Sequence, residues 1–397
     1  MDPPARGSTR PISATATAGA PMRRRDRTAL LAVSRPGCDL AIKLGGRIPE
    51  ADLFLPEGPI RGEHRAPRYE VLKGDPRVHL WEGRARDVAE RLFAGYRRMV
   101  IFGSVGMAVR LLAPLVKDKR ADPAVVVVDD GARYAVSLLS GHLGGANRLA
   151  VSVAEALGAH PVVTTASDIL GLPATDILGR DLGWTLENGG DAARVSASMV
   201  NGEVVGLLQE AGEPGWWPKE MPWPPNLLRV DTIDDLVTSG CRAAIIITDR
   251  LLPEQQLLPP HVVVRPRSLV VGIGCNRGTG PGEIEGAMLA VLAEHRLSPA
   301  SVAAIATVEL KRSERGLAEL AEAMGVEILF FPAKRLDAVP RLPSPSPTVA
   351  RWVGSRGVCE PAALLASGAT SLLVEKQRIG NVTVAVARRV FDERGDR

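Results

Sequence analysis

Aromatic side chains are scarce in this 397-residue chain: six Trp, six Phe and three Tyr, 4% of the residues. Its cores must therefore be built from Ala, Val, Leu and Ile. Cysteine is scarcer, and Cys38, Cys241, Cys275 and Cys359 form no CxxC pair. That spacing argues against a cysteine zinc site and a disulfide framework and points to reduced thiols. No apolar run reaches the roughly 20 residues that cross a bilayer. Thr28–Val33 follows arginines but stops at Ser34-Arg35-Pro36-Gly37, too short for a signal-peptide core. A cytoplasmic protein is expected, with no membrane partner. Charge is nearly balanced at +4, much of it in Arg23, Arg24, Arg25 and Arg27. Without a basic face interleaved with aromatics, no nucleic acid partner is expected. A small polyanion suits that balance better, because a few local cations suffice. HExxH, GxSxG and clustered His/Cys sets are missing, so neither a protein-bound catalytic metal nor a lipase-type serine is expected.

The length calls for two or three domains, and 45% apolar with 24% charged residues is a globular balance. Residues 1–27, rich in Pro, Ala, Thr, Ser and Arg without periodicity, are expected to be a disordered tail, and Met22 is an alternative start. Residues 28–167 alternate short apolar runs with amphipathic stretches, the pattern of an α/β domain. Strands are predicted at Thr28–Val33, Met99–Phe102, Ala124–Val128 and Pro161–Thr165, with helices at Ala85–Phe93, Met107–Val116 and Asn147–Leu157. Residues 168–267 form a smaller, loop-rich central region with one strong strand, Ala243–Thr248. It holds Trp184, Trp216, Trp217 and Trp223, which read either as surface aromatics or as a wall for a flat ligand. Residues 268–392 return to a clean α/β pattern. Here Leu269–Ile273, Ala303–Leu310 and Val326–Phe331 are strands, and Glu283–His295 and Glu360–Ala366 are helices. Ser298-Pro299 should open a further helix, Ser313 should cap one that stops at Gly325, and a hairpin should turn at Gly380-Asn381. The fold class is thus α/β, two α/β sandwich-type domains joined by the central region.

Three loops share a strand end, glycines and a helix start, a design that lets backbone amides approach an anion. They are Gly103–Gly106, Gly141–Gly145 and Gly272–Gly278. The last is one residue too long for a GxGxxG dinucleotide fingerprint, and none has phosphate-loop spacing. Tight packing of helix on strand is the competing explanation for each. Ser140-Gly141-His142-Leu143-Gly144-Gly145-Ala146-Asn147 carries the densest chemistry: a hydroxyl, an imidazole that titrates near neutral pH, and an amide. Asp129-Asp130 ends a run of four valines, where a carboxylate serves either a ligand or a turn before Gly131. Lys117-Asp118-Lys119-Arg120 is either a solvated helix end or a carboxylate trap.

Together these stretches resemble the CbiG family, the cobalt-precorrin-5A hydrolases of cobalamin (vitamin B12) biosynthesis. In the first α/β domain the resemblance rests on Gly103–Arg110, Leu115–Lys119, Asp122–Asp130 and Ser137–Asn147. In the last it rests on Val270–Gly278, Ser344–Pro347, Glu360–Leu365 and Gly380–Arg388, a domain that also resembles the stand-alone CobE proteins. The first 27 residues and the Trp/Pro-rich centre depart from the family pattern.

The resemblance implies a carbon–carbon bond hydrolase that opens the ring A δ-lactone of cobalt-precorrin-5A, releases acetaldehyde and leaves cobalt-precorrin-5B. A non-catalytic corrinoid-binding protein of the same pathway is the alternative. Cobalt then arrives inside the substrate and no separate cofactor is required. The partners would be this cobalt-corrinoid and other enzymes of the pathway. Such chemistry needs a base for water, donors for an oxyanion and cations for peripheral carboxylates. Residue chemistry nominates His142, Ser140 and Asp129 for catalysis. Gly103, Ser104, Gly106, Gly144, Gly145, Asn147, Gly274 and Asn276 are nominated as loop contacts. Lys117, Lys119, Arg148, Arg277, Lys311 and Lys376 are nominated as cations for the substrate.

Overall fold

The structure, a computed structural model, describes residues 25–58, 72, 74–118, 120–253, 257, 260–340, 342–345 and 347–391. Lys119, residues 1–24 of the expected tail and residue 392 lie outside the described residues. The chain divides into two compact units between Val163 and Thr164.

The first unit is a seven-stranded sheet in the order β3-β2-β1-β4-β5-β6-β7. Its strands are β1 (Arg25–Ala32), β2 (Ala51–Pro56), β3 (Val78–Trp81), β4 (Tyr96–Phe102), β5 (Ala124–Val128), β6 (Tyr134–Leu139) and β7 (His160–Val162). The first strand thus begins inside the segment expected to be a tail, because Arg25 and Thr28 pair with β4. Helices α1 (Arg35–Gly45) and α4 (Ala146–Leu157) cover one face, and α2 (Ala85–Gly95) and α3 (Val105–Leu112) the other. Alternation along the strands dictates this sandwich. Leu30, Val100 and Val126 point to α1 and α4, while Leu31, Ile101 and Val127 point to α2 and α3. Strand β5 reads Ala-Val-Val-Val-Val because both of its faces are buried. β6 runs antiparallel to β5, which reverses the chain before α4.

The second unit carries two sheets. The central region is better ordered than its Gly, Pro and Trp content suggests. It forms a five-stranded sheet, β10-β9-β11-β12-β8, from β8 (Thr185–Leu186), β9 (Val205–Gln209), β10 (Leu227–Val230), β11 (Ala243–Ile247) and β12 (His261–Arg265). Helices α5 (Ala192–Val200) and α6 (Ile233–Thr238) lie on its two faces. The last sheet has the order β15-β14-β13-β17-β16. Its strands are β13 (Leu269–Cys275), β14 (Val302–Val308), β15 (Glu327–Phe331), β16 (Val374–Ile379) and β17 (Val382–Arg388). Helices α7 (Pro281–Glu294) and α8 (Arg315–Met324) pack on one face and α10 (Cys359–Ser367) on the other, with α9 (Pro347–Val353) preceding α10. Ser298-Pro299 opens only a single 3₁₀ turn, Pro299–Ser301, before β14. The cap position of α8 is held by Glu314 rather than Ser313.

The two sheets of this unit are joined by an ion pair on a buried carboxylate. Asp249, fully buried, accepts from Arg388 through Nε and Nη2 at 2.8 Å each and from Ser268 Oγ at 2.9 Å. Backbone bonds from Ser298 to Asp249 and from Leu251 to Arg296, both 2.7 Å, close the seam.

Candidate functional site

In the first unit the sheet order reverses between β1 and β4, the switch point at which open α/β sheets commonly hold ligands. The carboxyl ends of β4 and β5 bring Gly103, Ser104, Gly106 and Asp129 to this edge. Gly103 sits at φ 145°, and Ser104 caps α3 by accepting from the Met107 amide at 3.2 Å. The Asp129 carboxylate accepts three amides, from Tyr134 at 2.7 Å, Arg133 at 2.9 Å and Gly131 at 3.2 Å. Partial burial pushes its pKa upward, but those amides and the Arg133 charge outweigh it and hold the carboxyl below its ordinary value. Asp129 is thereby organised as a turn residue.

The Ser140–Asn147 loop lies at the other edge. Because β6 is antiparallel to β5, the chain leaves β6 beside the start of β5, and Ser140 Oγ donates to the Asp122 carbonyl at 3.0 Å. The Asp122 carboxylate in turn accepts the Lys117 and Asp118 amides at 2.9 and 3.0 Å, so Lys117 belongs to this edge too. At about 3.3 Å per strand residue, Asp122 and Asp129 are up to about 23 Å apart. The catalytic trio expected from sequence is therefore split: Ser140 and His142 share an edge, and Asp129 does not. The same reason separates the Gly144-Gly145 amides from those of Gly103–Gly106, which cannot polarise one carbonyl together.

Within this loop the glycines serve closure. A methyl on Gly141 would lie 2.7 Å from Asn147 Oδ1, and one on Gly144 2.5 Å from the Ser140 Cβ. Ser140 takes the left-handed conformation at φ 56°, as does Gly145 at φ 88°. The Gly145 amide is engaged by the His142 carbonyl at 3.1 Å, and buried Asn147 accepts from Ser137 Oγ at 2.7 Å. His142 is half-buried, and Arg148 is exposed.

A concavity of the last domain lies at the carboxyl ends of β13 and β14. It is a cavity of about 690 Å³ that brings together Gly274, Asn276, Arg277, Lys311 and Lys376, all nominated from sequence. It adds Arg378, Trp352, Asn381 and Thr383, which were not. Lys376 and Arg378 are two apart on β16 and so share a face, a signal that alternation could have revealed. The α10 amino terminus faces the same space through Val358 and Cys359. It comes so close to β13 that a side chain at Gly272 would overlap the Cys359 carbonyl.

The cavity's rim is stitched to its floor. Asn276 pairs with Asn381 through side chains at 2.8 Å and backbones at 3.0 Å, and Glu283 accepts from Asn381. The Gly278 amide donates to Glu314 at 2.9 Å, and Lys311 Nζ pairs with the same carboxylate at 3.1 Å. The Gly278 amide and then Lys311, with Arg277 nearby, hold Glu314 below its ordinary pKa against a smaller opposing effect of burial. Buried Glu360 accepts the Ser344 and Lys376 amides at 3.2 and 3.1 Å, fixing the backbone that carries Lys376. Burial pushes the Cys275 thiol up and the Cys359 thiol up to about 11, so neither is a ready thiolate. Four cations and no acid line the cavity, a composition for a multiply charged anion.

The central tryptophans pack against one another. Trp216 packs against Trp184, Trp217 and Trp223 at 5.7–6.4 Å between ring centroids. Each indole N–H is engaged within the same domain, Trp184 by Glu213 and Trp216 by Gln209. Among the described residues no group of three His, Cys, Asp or Glu could hold a metal ion, and no helix is long and apolar enough to cross a membrane.

Comparison with known proteins finds matches in both units. Residues 87–168 match the family description "Cobalamin synthesis G N-terminal", 173–266 "Cobalamin biosynthesis central region", and 269–387 "Cobalamin synthesis G C-terminus". The chain is 38% identical to the cobalt-precorrin-5A hydrolase of Priestia megaterium over 375 residues, 94% of this chain and 98% of the relative. It is 35% identical to the protein of the same name from Salmonella typhimurium, over 77% of this chain and 86% of the relative. Protein CobE of a Sinorhizobium species is 31% identical over 121 residues, 30% of this chain and 79% of that protein. With a relative 38% identical aligned almost end to end and family models matching all three regions, the chain belongs to the cobalamin synthesis G (CbiG) family.

Proposed function

We propose that this enzyme opens the ring A δ-lactone of cobalt-precorrin-5A with water and releases acetaldehyde, leaving cobalt-precorrin-5B. The observation that carries the reading is the near end-to-end similarity to a protein of that name. The four-cation cavity supports it, since a corrinoid presents several peripheral carboxylates. Cobalt is cargo within the substrate. In this scheme water adds to the lactone carbonyl and the acyl–oxygen bond breaks, giving a carboxylate and an alcohol. Loss of the hydroxyl proton then forms the aldehyde C=O as the carbon–carbon bond breaks, and its electron pair passes to the macrocycle, which takes up a proton.

His142 is assigned the proton transfers, and Ser140 orients water. The Ser140 proton is directed to the Asp122 carbonyl, so toward water the hydroxyl oxygen acts as an acceptor. Of the two glycine amides, Gly144 is the candidate oxyanion donor, because that of Gly145 is already engaged. Within the last domain, Arg277, Lys311, Lys376 and Arg378 are the proposed cations for corrinoid carboxylates. The cytoplasm is the proposed location, where the four free thiols stay reduced.

Anoxic incubation with cobalt-precorrin-5A, trapping acetaldehyde as its hydrazone, tests this directly. One acetaldehyde per lactone opened is expected. Tight binding with no acetaldehyde would favour the second reading, a corrinoid carrier.

A further inference from the structure

Trp352 is 78% exposed, the most exposed large hydrophobic side chain among the described residues, and it lines the cavity of the last domain. The central tryptophans are packed against one another and hydrogen-bonded within their own domain. An indole left in water at the mouth of a cavity is instead the usual form of a recognition anchor. Arg277 and Lys311 reach the same space from the β13 and β14 ends, and Lys376 and Arg378 from β16. The cavity's volume of about 690 Å³ is within the range of small-molecule sites. A flat apolar face combined with separate cations matches a ligand with a broad conjugated face and an anionic edge. A compact anion such as phosphate would have no use for the indole.

We infer that Trp352 is a substrate-positioning residue, laying its indole against one face of the corrinoid while the cations hold the carboxylates at its edge. This rests on reading the cavity as the corrinoid site. The indole selects the macrocycle face, and the cations set its rotation within the cavity.

The test is titration of the full chain with cobyrinic acid, a cobalt corrin with free peripheral carboxylates, following tryptophan emission and the dissociation constant at several salt concentrations. Trp352→Ala should weaken binding about tenfold and remove the largest component of the quenching, with the salt dependence unchanged. Trp352→Phe should restore most of the affinity. Arg378→Gln and Lys376→Gln should weaken binding and flatten its salt dependence. Because Trp352 is exposed, loss of fold is not expected, and a matching urea midpoint checks it. If Trp352→Ala binds and quenches like the wild type while the two cation variants are weakened, the cavity reading stands and the role of Trp352 is overturned. If all three variants bind like the wild type, or if the wild type does not bind, both fall.

Discussion

The glycines of Ser140–Asn147 let a loop fold onto itself, whereas those of Gly272–Gly278 let a helix reach a strand and leave a rim around a cavity. In the first loop Gly141 and Gly144 face Asn147 and Ser140, neighbours in the same turn. In the second, Gly272 faces the α10 backbone from far along the chain, and Gly278, at φ 74°, has open space where a Cβ would be. Two loops of similar composition thus answer to different constraints, one local and one long-range. What decides is the atom nearest the missing Cβ.

Breaking that contrast should have its largest effect at Gly272. Gly272→Ala must displace α10 and should cost about 3 kcal/mol of stability by urea unfolding, against about 1 kcal/mol for Gly278→Ala, where only the backbone angle objects. Next in size is His142→Ala, expected to keep the fold and the affinity for the corrinoid while slowing acetaldehyde release about 10²-fold. An unchanged rate would remove His142 from the chemistry. Gly144→Ala, by contrast, should reduce both rate and stability, because the added methyl strikes Ser140.

A smaller effect is expected from acid. Glu314 holds the Gly278 amide, and its folded-state pKa lies below the unfolded value. Its contribution to stability is therefore complete above the unfolded carboxyl pKa and disappears as pH falls through the lower folded value. Glu314→Gln should flatten the acid limb of the stability–pH profile, and an unaltered limb would discount this tie. Smallest of all, Cys359 should resist alkylation at pH 8 in the native protein and react only on unfolding, since burial pushes its thiol up to about 11.

Much of the fold could be read from periodicity. Ala124–Val128 announces a strand buried on both faces, and Gly325 stops its helix as a left-handed cap does. The central sheet escaped because β8 has only two residues and β10 is half exposed, so neither carries an alternating signal. For the site, Gly274, Asn276, Arg277, Lys311 and Lys376 were legible as cations and loop residues at strand ends, and they do converge on one cavity. That Asp129 lies apart from Ser140 and His142 was not legible, because the direction of β6 decides which edge the Ser140 loop reaches, and pairing direction is a long-range property. Trp352 was missed because its short helix has no apolar period to mark a face.

The Asp249–Arg388 pair sets where this protein can be divided. A cut near residue 267 would strip Asp249 of Arg388 and Ser268 at one stroke, taking away both partners of a wholly buried carboxylate. A cut near Val163 touches neither. Fragments meant to isolate the cavity should therefore keep the central and last sheets in one piece, although the sequence alone suggests two separable parts.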